Sequence, residues 1–346
     1  MLHSSLLRRG LLALCLIPTL LMGASSVIVK DMSTGNILMS QDPDARHYPA
    51  SLTKVMTLYL LFDALESGKV TLDQKFSVSK EAAAQPPTKV GLRPGSSISV
   101  EECIGALIVR SANDVAVVVA EGLAGSEYAF AARMTAKAKQ LGMNQTVFRN
   151  ASGLPNDEQF TTANDLMILT DTLILRFPER YHYFGVASCK AVGKVLTTHN
   201  VFLGIYKGAD GLKTGYTRDA GYNLIASVER QGHRLVGIEL GAESRPARDA
   251  RMVRLMDQAF GELGIARESM TAERVSRRVK SATRSNLRAD ARHERAESAR
   301  PHIRRGAGRG HTLELAKTGK RPRTSPLLPK GRTLKAGGRS HRHARG

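Results

Sequence analysis

Short apolar runs typical of β-strands occur near both ends of the region that we expect to fold. Residues 27–29 and 37–39 are apolar runs on either side of a glycine-containing turn, which is the pattern of a β-hairpin. Residues 222–229 and 234–240 form a second pair of such runs around Gly232. The sequence therefore predicts two hairpins, distant in the chain, that supply strands to one sheet.

Between the hairpins, the apolar positions follow the longer period of an α-helix. Residues 51–65 are apolar nearly all round the helix, which indicates a helix buried on most of its faces. Further helices are predicted at 101–110, 113–123, 126–141, 162–176 and, after the second hairpin, 245–263. We expect an α/β fold of the α+β type, in which helices flank an antiparallel sheet and a helical subdomain is inserted between its strands.

The first 26 residues have the order of features found in a secretory signal peptide. Arg8 and Arg9 precede an apolar run at 11–22, and small residues follow at 23–26. The apolar run is too short to favour a stable membrane anchor. We expect residues 1–26 to be removed and the mature protein to be exported, either to the periplasm or in association with the cell envelope.

The positive charge of the chain is concentrated at its C-terminal end. The net charge is +20, but residues 263–346 contain 23 of the 51 Lys and Arg and 6 of the 31 Asp and Glu. The rest of the chain is nearly balanced, so residues 27–265 have the composition of an ordinary globular domain. Residues 266–346 are too polar to bury a core, and we expect a disordered basic tail. Its charge suits an anionic membrane or wall polymer, and no specific nucleic acid is expected.

The cysteine content predicts neither a disulfide framework nor a metal site. Once the signal peptide is removed, Cys103 and Cys189 remain, and two cysteines are too few for such a framework. Neither has the spacing of metal ligands around it. We therefore assign no metal and no cofactor.

Three short motifs carry the candidate chemistry, and they occur in this order: Ser51-Leu52-Thr53-Lys54, Ser111-Ala112-Asn113 and Lys213-Thr214-Gly215. Each motif alone is a weak signal, because the first pattern recurs at 77–80 and the third at 317–319. Context separates the two sets. The recurrences lie in a polar stretch and in the basic tail, whereas Ser51 opens a buried helix and Lys213 precedes a hairpin.

Ser51 and Lys54 have the spacing of a nucleophile and its base. Residues three apart on a helix lie on one face within side-chain reach, so we expect Lys54 to contact the Ser51 hydroxyl. A lysine kept near neutral by burial and by a second cation, for which Lys213 is the candidate, accepts that proton and activates the serine. The N-terminal end of the helix adds N–H groups and a positive dipole where negative charge develops.

The segment from Ser111 to Asn113 has two interpretations. A serine ahead of the apolar run 115–119 is also a common helix N-cap. Because the other two motifs flank the segment in order, we favour a functional loop. In that loop Ser111 relays a proton and Asn113 hydrogen-bonds the substrate backbone.

The third motif is expected on the edge of the sheet, where a peptide can lie against it as an added strand. Gly215 leaves room for close approach, because a side chain there would stand in the substrate's place. Lys213 and Thr214 are then placed to bind a substrate carboxylate. The backbone N–H groups of Ser51 and Tyr216 are placed to form an oxyanion hole.

Around these residues the chain resembles the low-molecular-mass penicillin-binding proteins of the D-alanyl-D-alanine carboxypeptidase family. The resemblance runs from about residue 26 to 262. It rests on the three motifs, on Asp114 directly after the second motif, and on five further segments: Pro49-Ala50, Ala124-Gly125-Ser126-Glu127, Leu141-Gly142-Met143, Asp210-Gly211-Leu212 and Ala220-Gly221-Tyr222-Asn223-Leu224. It implies the fold shared by penicillin-binding proteins and β-lactamases, an acyl-enzyme on Ser51, peptidoglycan stem peptides as substrates and β-lactams as covalent inhibitors. Arg248 resembles an arginine near the active site of that family, and it joins the candidate substrate-binding residues.

The sequence leaves three other functions to weigh. Many relatives have a β-rich second domain where this chain has the basic tail, and the branch without that domain includes endopeptidases that cut peptide crosslinks. A β-lactamase would share the fold, but Glu158 does not stand in the Glu-x-x-Leu-Asn pattern expected of its hydrolytic residue. The third alternative is a non-catalytic protein that binds polyanions or the cell wall through its tail, and the intact motif residues argue against it.

Overall fold

A computed structural model describes residues 25–266 of the 346-residue chain. Most of the predicted signal peptide and of the basic tail, with the second Lys-Thr-Gly at 317–319, therefore lie outside the described residues. The described strands are β1 (Ser26–Asp31), β2 (Ile37–Gln41), β3 (Lys75–Ser77), β4 (Ser97–Ser99), β5 (Ser188–Ala191), β6 (Lys194–Thr197), β7 (Ala209–Thr217), β8 (Gly221–Arg230) and β9 (His233–Ala242).

Five of these strands form the main sheet, in the order β2–β1–β9–β8–β7. Every neighbouring pair is antiparallel. The N-terminal hairpin joins the C-terminal strands through β1 and β9, where Val29 lies opposite Gly237. Both predicted hairpins and their union in one sheet are confirmed. β7 lies at an edge of this sheet, as its motif requires.

The predicted helices are confirmed with bounds that shift by one or two residues. The described helices are α1 (Thr53–Glu66), α2 (Lys80–Ala84), α3 (Val100–Gly105), α4 (Asn113–Ala124), α5 (Glu127–Leu141), α6 (Ala163–Arg176), α7 (Pro178–Tyr181), α8 (Phe202–Ile205) and α9 (Arg245–Glu262). Two predicted helices change geometry along their length. Residues 50–52 form a 3-10 turn before α1, and residues 106–110 form a π-helical turn after α3.

Local side chains explain where the longer helices begin and end. Ser126, Thr162 and Ser244 cap α5, α6 and α9, because each hydroxyl accepts a backbone N–H from three residues further on. Gly125 and Gly142 end α4 and α5 in the left-handed conformation that favours glycine. The sequence pattern and the caps therefore agree on these bounds.

The two faces of the sheet bury two separate hydrophobic clusters, because successive side chains of a strand point to opposite faces. In β8, Ile225 faces the larger cluster around α1, while Leu224 and Ala226 face the cluster under α9. Ten of the fourteen residues of α1 are buried, and Lys54 is one of them. The predicted central helix therefore carries the candidate base into the core.

Two small hairpins were not predicted. β3 pairs with β4 and β5 pairs with β6 in separate two-stranded sheets. Strands of three or four residues are too short to show a clear period in the sequence. They lie in the helical part of the chain that joins the two halves of the main sheet.

The folded domain begins earlier than the predicted boundary at residue 27. Ser26, assigned to the signal peptide, starts β1, pairs with Leu240 and is fully buried. Its hydroxyl donates to the Asp42 carbonyl at 2.6 Å, so it is part of the fold. At the other end, Ile265 packs into the cluster under α9.

Taken one at a time, the helices between residues 25 and 266 are too short or too polar to cross a membrane. α4 and α5 reach the required length and apolarity when taken together, but they meet at a bend of 81°.

Gly122 lets α4 pack directly on Phe76 of β3, and this close contact generates a stability prediction. A Cβ at position 122 would lie 2.6–2.8 Å from three ring atoms of Phe76, which is itself buried. Overpacking typically costs about 1–3 kcal/mol. That exceeds the ~1 kcal/mol by which alanine is favoured over glycine within a helix. We expect Gly122→Ala to lower the free energy of unfolding in urea by about 1 kcal/mol.

The matched control is Gly261→Ala in α9, where no other atom lies within 4 Å of the added methyl group. This variant should be neutral or slightly stabilised. An equal response of the two variants would contradict the packing argument.

Candidate active site

The three motifs converge on one cleft of about 290 Å³. Lys54 and Lys213 lie beneath it and are almost completely buried. The other candidate residues line it directly: Ser51, Ser111, Asn113, Thr214, Gly215, Tyr216 and Arg248. The fold thus brings together every site residue that the sequence proposed.

The amine of Lys54 lies between the nucleophile and two carbonyl groups. Its Nζ is 3.2 Å from Ser51 Oγ, 2.8 Å from Asn113 Oδ1 and 2.5 Å from the Ser152 carbonyl oxygen. The two carbonyl oxygens are acceptors only, so each takes an N–H from the amine. The third direction faces Ser51. When the amine is neutral, that direction holds its lone pair, which can accept the hydroxyl proton.

Burial and a neighbouring cation favour this neutral form. Burial of Lys54, and then the charge of Lys213, hold the pKa of Lys54 well below its usual range. Burial, with the Arg248 guanidinium nearby, lowers the pKa of Lys213 to about 7. Asp114 and Glu127 act in the opposite direction, because their negative charges raise the pKa of Lys54. Lys213 is therefore the second cation that the sequence analysis expected.

Ser111 does not cap the helix that follows it. The N-cap of α4 is Ala112, which has no side chain able to accept a hydrogen bond. Ser111 instead ends the π-helical turn at Ala106–Arg110 with φ +58°, and its Oγ accepts a hydrogen bond from Lys213 Nζ at 2.9 Å. The N-cap interpretation was wrong because the left-handed backbone turns this side chain towards Lys213.

Asn113 and Asp114 hold the loop that forms one wall of the cleft. Asn113 Nδ2 donates to the Pro86 carbonyl at 3.0 Å, while its Oδ1 accepts from Lys54. The buried Asp114 carboxylate accepts the backbone N–H groups of residues 90–92. Thr88 lines the cleft, and its hydroxyl donates to the Ser111 carbonyl at 2.9 Å. Asp114 was not proposed as a site residue, although its position next to Asn113 was a usable signal.

β7 forms the opposite wall of the cleft, and its residues differ in how far they are buried. Lys213 is buried, Thr214 is half-buried and Tyr216 is 54% exposed. The ring of Tyr216 stacks on that of Tyr222 with centroids 4.2 Å apart. The exposed edge of β7, with the stacked rings of Tyr216 and Tyr222, therefore borders the cleft.

Gly215 also makes a close approach within the protein, in addition to the approach to a substrate that the sequence predicts. A Cβ at this position would lie 3.1 Å from the Ser51 nitrogen and 3.2 Å from the Pro49 carbonyl oxygen. The close approach is thus between β7 and the backbone of the nucleophile, not between β7 and a substrate alone. A Cβ there would press on the backbone at Ser51, which would have to shift by a few tenths of an ångström.

Arg248 lines the cleft, and hydrogen bonds to two neighbouring residues hold its guanidinium in place. Nε and Nη2 donate to Asp249 Oδ1 at 2.9 and 2.6 Å, and Nη1 donates to the Asn223 carbonyl at 3.2 Å. Arg245, one turn earlier in α9, lines the same end of the cleft. Arg245 was not predicted as a site residue, because the spacing of arginines along a helix does not show which of them lines a cleft.

The segment 150–153 is a further part of the site that was not predicted from the sequence. Its Ser152 carbonyl accepts from Lys54, and Gly153 lines the cleft. Gly153 has φ +82°, and a Cβ there would lie 1.8 Å from the Ala50 carbonyl oxygen. Such contact forbids any side chain. The glycine was visible in the sequence, but its contact with residue 50 was not.

Metal-binding groups are not assembled in the part of the chain that the structure describes. Across residues 25–266, no three His, Cys, Asp or Glu side chains are arranged to hold a metal ion. Cys103 and Cys189 are free thiols, and burial raises the pKa of both.

Known proteins share this sequence pattern. Residues 18–244 match the family model described as D-alanyl-D-alanine carboxypeptidase. The chain is 34% identical over 245 residues to the D-alanyl-D-alanine carboxypeptidase DacF of Bacillus subtilis, a match that covers 69% of this chain and 62% of that protein. It is 32% identical over 244 residues to DacA of Escherichia coli, with coverage of 68% and 60%. The chain thus spans about three fifths of the length of these curated relatives.

Solved structures confirm the predicted fold class. Penicillin binding protein 5 from Haemophilus influenzae superposes with a TM-score of 0.65 at 30% identity, covering 68% of this chain and 70% of that one. Penicillin-binding protein D2 from Listeria monocytogenes, in its ampicillin-bound form, superposes with a TM-score of 0.60 at 32% identity, covering 68% and 96%. With two thirds of its length matching the family model and the same architecture in solved relatives, the chain belongs to the D-alanyl-D-alanine carboxypeptidase family.

Proposed function

We propose that the chain is a serine-type D-alanyl-D-alanine carboxypeptidase that removes the terminal D-alanine of peptidoglycan stem peptides. The observation that carries this proposal is the geometry of the buried Lys54 amine. Two of its directions are taken by carbonyl acceptors, and the third faces Ser51 Oγ at 3.2 Å. The proposed acylation needs a neutral amine at this place, and burial with the Lys213 cation favours that form.

In the proposed first step, Ser51 Oγ attacks the carbonyl carbon of the penultimate D-alanine while its proton passes to Lys54 Nζ. Negative charge then develops on the carbonyl oxygen. The backbone N–H groups of Ser51 and Tyr216 are assigned to stabilise it. Lys213, Thr214 and Arg248 are assigned to bind the terminal carboxylate at the other end of the cleft.

In the second step, the C–N bond breaks and the leaving amine takes up a proton. Ser111 lies in the cleft and accepts from Lys213 Nζ, so we assign it the relay of that proton from the lysine pair. Water then attacks the ester carbon while Lys54 takes a proton from the water, and Lys54 returns that proton to Ser51 Oγ as the Oγ–acyl bond breaks and the shortened peptide leaves. β-Lactams, one of which is bound in the Listeria structure, would acylate the same serine.

The structure favours a peptidase over a β-lactamase. Glu158 is the acidic residue that was weighed as a hydrolytic group, but its side chain is 73% exposed and pairs with Arg149 at 2.8 Å. It is not among the residues that line the cleft. A surface carboxylate in this position has no access to the acyl-enzyme.

Mass analysis of muropeptides tests the proposed reaction. We expect incubation of the purified protein with monomeric pentapeptides to release one D-alanine per peptide. Cleavage of crosslinked dimers with the pentapeptides left intact would assign the protein to the endopeptidases instead. No change in either substrate by a protein that binds penicillin would contradict both peptidase assignments.

We predict that Ser51→Ala abolishes both peptide cleavage and covalent labelling by a fluorescent penicillin, because Lys54 then has no hydroxyl to activate. The control is Ser77→Ala in the second Ser-x-x-Lys pattern. Ser77 lies at the exposed end of β3 and Lys80 begins α2, so this pair does not share a helical turn. Covalent labelling of the Ser51→Ala variant by penicillin would show that Ser51 is not the nucleophile.

We predict that Lys54→Arg loses acylation by roughly 100-fold or more, the usual contribution of a general base. Arginine keeps the positive charge but does not deprotonate at usable pH. Labelling rates with a fluorescent penicillin measure the effect, and Lys80→Arg is the matched control. A near-normal rate in a folded Lys54→Arg variant would show that this residue contributes charge alone.

The basic tail is proposed to hold the enzyme near an anionic membrane or wall polymer after export. We predict that a chain ending after Ala266 is acylated like the full-length protein but sediments less with anionic vesicles or isolated wall material. Raised salt should weaken the full-length protein's binding, since the Debye length is about 8 Å at physiological ionic strength. Equal sedimentation of the two proteins would rule out a tether, and loss of acylation would place the domain boundary further along the chain.

A further inference from the structure

Glu127 is a half-buried acid near the active site that the proposed reaction does not use. It occupies the first turn of α5, and its Oε1 accepts the backbone N–H of Ala151 at 2.9 Å. Burial raises the pKa of its carboxyl group, an effect that the hydrogen bond from Ala151 opposes. The hydrogen bond described for this carboxylate is to a backbone N–H, so Glu127 holds a backbone segment in place.

The backbone that Glu127 holds leads directly to the catalytic lysine. Ala151 is followed by Ser152, whose carbonyl oxygen accepts from Lys54 Nζ at 2.5 Å. The same short segment is held elsewhere, because Thr57 Oγ1 donates to the Ala151 carbonyl at 2.7 Å. Glu127 thus holds the N–H side of Ala151 and Thr57 its carbonyl side.

The position of the Ser152 carbonyl decides which way the Lys54 lone pair points. This carbonyl and Asn113 Oδ1 take two directions of the amine, which leaves the lone pair towards Ser51. If the Ser152 carbonyl moved, an N–H of the amine could turn towards the serine instead. An N–H in that direction cannot accept the hydroxyl proton.

The charge of Glu127 acts on the same amine. The charged groups that act on Lys54 are Lys213, Asp114 and Glu127, and those that act on Glu127 are Glu81, Glu121 and Lys54. The negative charge of Glu127 favours the protonated form of Lys54, against the effects of burial and of Lys213. Removing this charge therefore favours the neutral amine, so that Lys54 becomes a base at lower pH.

We propose that Glu127 is a positioning residue for acyl transfer: its carboxylate holds the Ala151–Ser152 backbone that orients the Lys54 amine, and its charge opposes proton loss from that amine. This inference rests on the proposed acylation of Ser51. It predicts two separable effects, one from the hydrogen bond to Ala151 and one from the charge.

Two substitutions separate these effects. Glu127→Gln keeps an oxygen that accepts the Ala151 N–H but removes the charge. Its rate of acylation by penicillin should stay near that of the unsubstituted protein at high pH. The acid limb of its pH–rate profile should move to lower pH. Glu127→Ala also loses the hydrogen bond, so its acid limb should move in the same direction while its acylation at high pH falls roughly tenfold or more, as expected when a catalytic group is displaced.

The control is Glu158→Gln, which makes the same chemical change at an exposed residue paired with Arg149. Its profile should match that of the unsubstituted protein. Circular dichroism and thermal unfolding establish whether each variant is folded. If Glu127→Ala does not fold, the pH–rate profile of Glu127→Gln alone tests the inference.

The outcomes distinguish this inference from the proposed function. An unshifted acid limb in folded Glu127→Gln, with normal acylation of the unsubstituted protein, would overturn the assigned role of the charge. Normal acylation of folded Glu127→Ala would overturn the role of the hydrogen bond. Failure of the unsubstituted protein to be acylated would instead overturn the proposed function itself.

Discussion

The burial of one lysine amine among oxygen acceptors is the constraint on which the rest of the site depends. Lys54 is fully buried, and a buried ammonium without partners would be strongly unfavourable. Two oxygen atoms from different segments, Asn113 Oδ1 and the Ser152 carbonyl oxygen, accept hydrogen bonds from the Lys54 amine. Ser51 occupies the third direction of this amine. In the proposed acylation these partners set the direction of the lone pair, so groups that do not react would decide whether Lys54 can accept the Ser51 proton.

Electrostatics at the site balance two opposing requirements. A second buried lysine, Lys213, makes proton loss from Lys54 easier and also donates to Ser111 in the cleft. Two adjacent cations in the core would be costly if both kept their charge. Asp114 and Glu127 supply negative charge near Lys54, and each also holds a loop against the site. The same carboxylates therefore contribute to both the charge balance and the geometry.

Close backbone contacts keep the nucleophile in place. Residues 50–52 lie between Gly153, where there is no room for a Cβ, and Gly215, where a Cβ would be in tight contact with them. A serine held in this way needs little reorganisation before it reacts, which is what a preorganised site requires. Rigid elements supply the framework, since Gly215 belongs to the edge strand β7 and Lys54 to the central helix α1.

The sequence by itself determined the longer helices, the two main hairpins and the proximity of Ser51 and Lys54. The tertiary structure decided everything that depends on contact between distant segments. Helix bounds were predictable because apolar period and caps such as Ser126 and Ser244 are local signals. The contact between Ser51 and Lys54 was predictable for the same reason, since a spacing of three within a helix determines proximity. The conformation of Ser111 was not, because it depends on a π-helical turn and on Lys213, 102 positions away. The contacts of Ser152, Gly153 and Glu127 could not be predicted from the sequence either, because each residue contacts a segment that is distant in the chain.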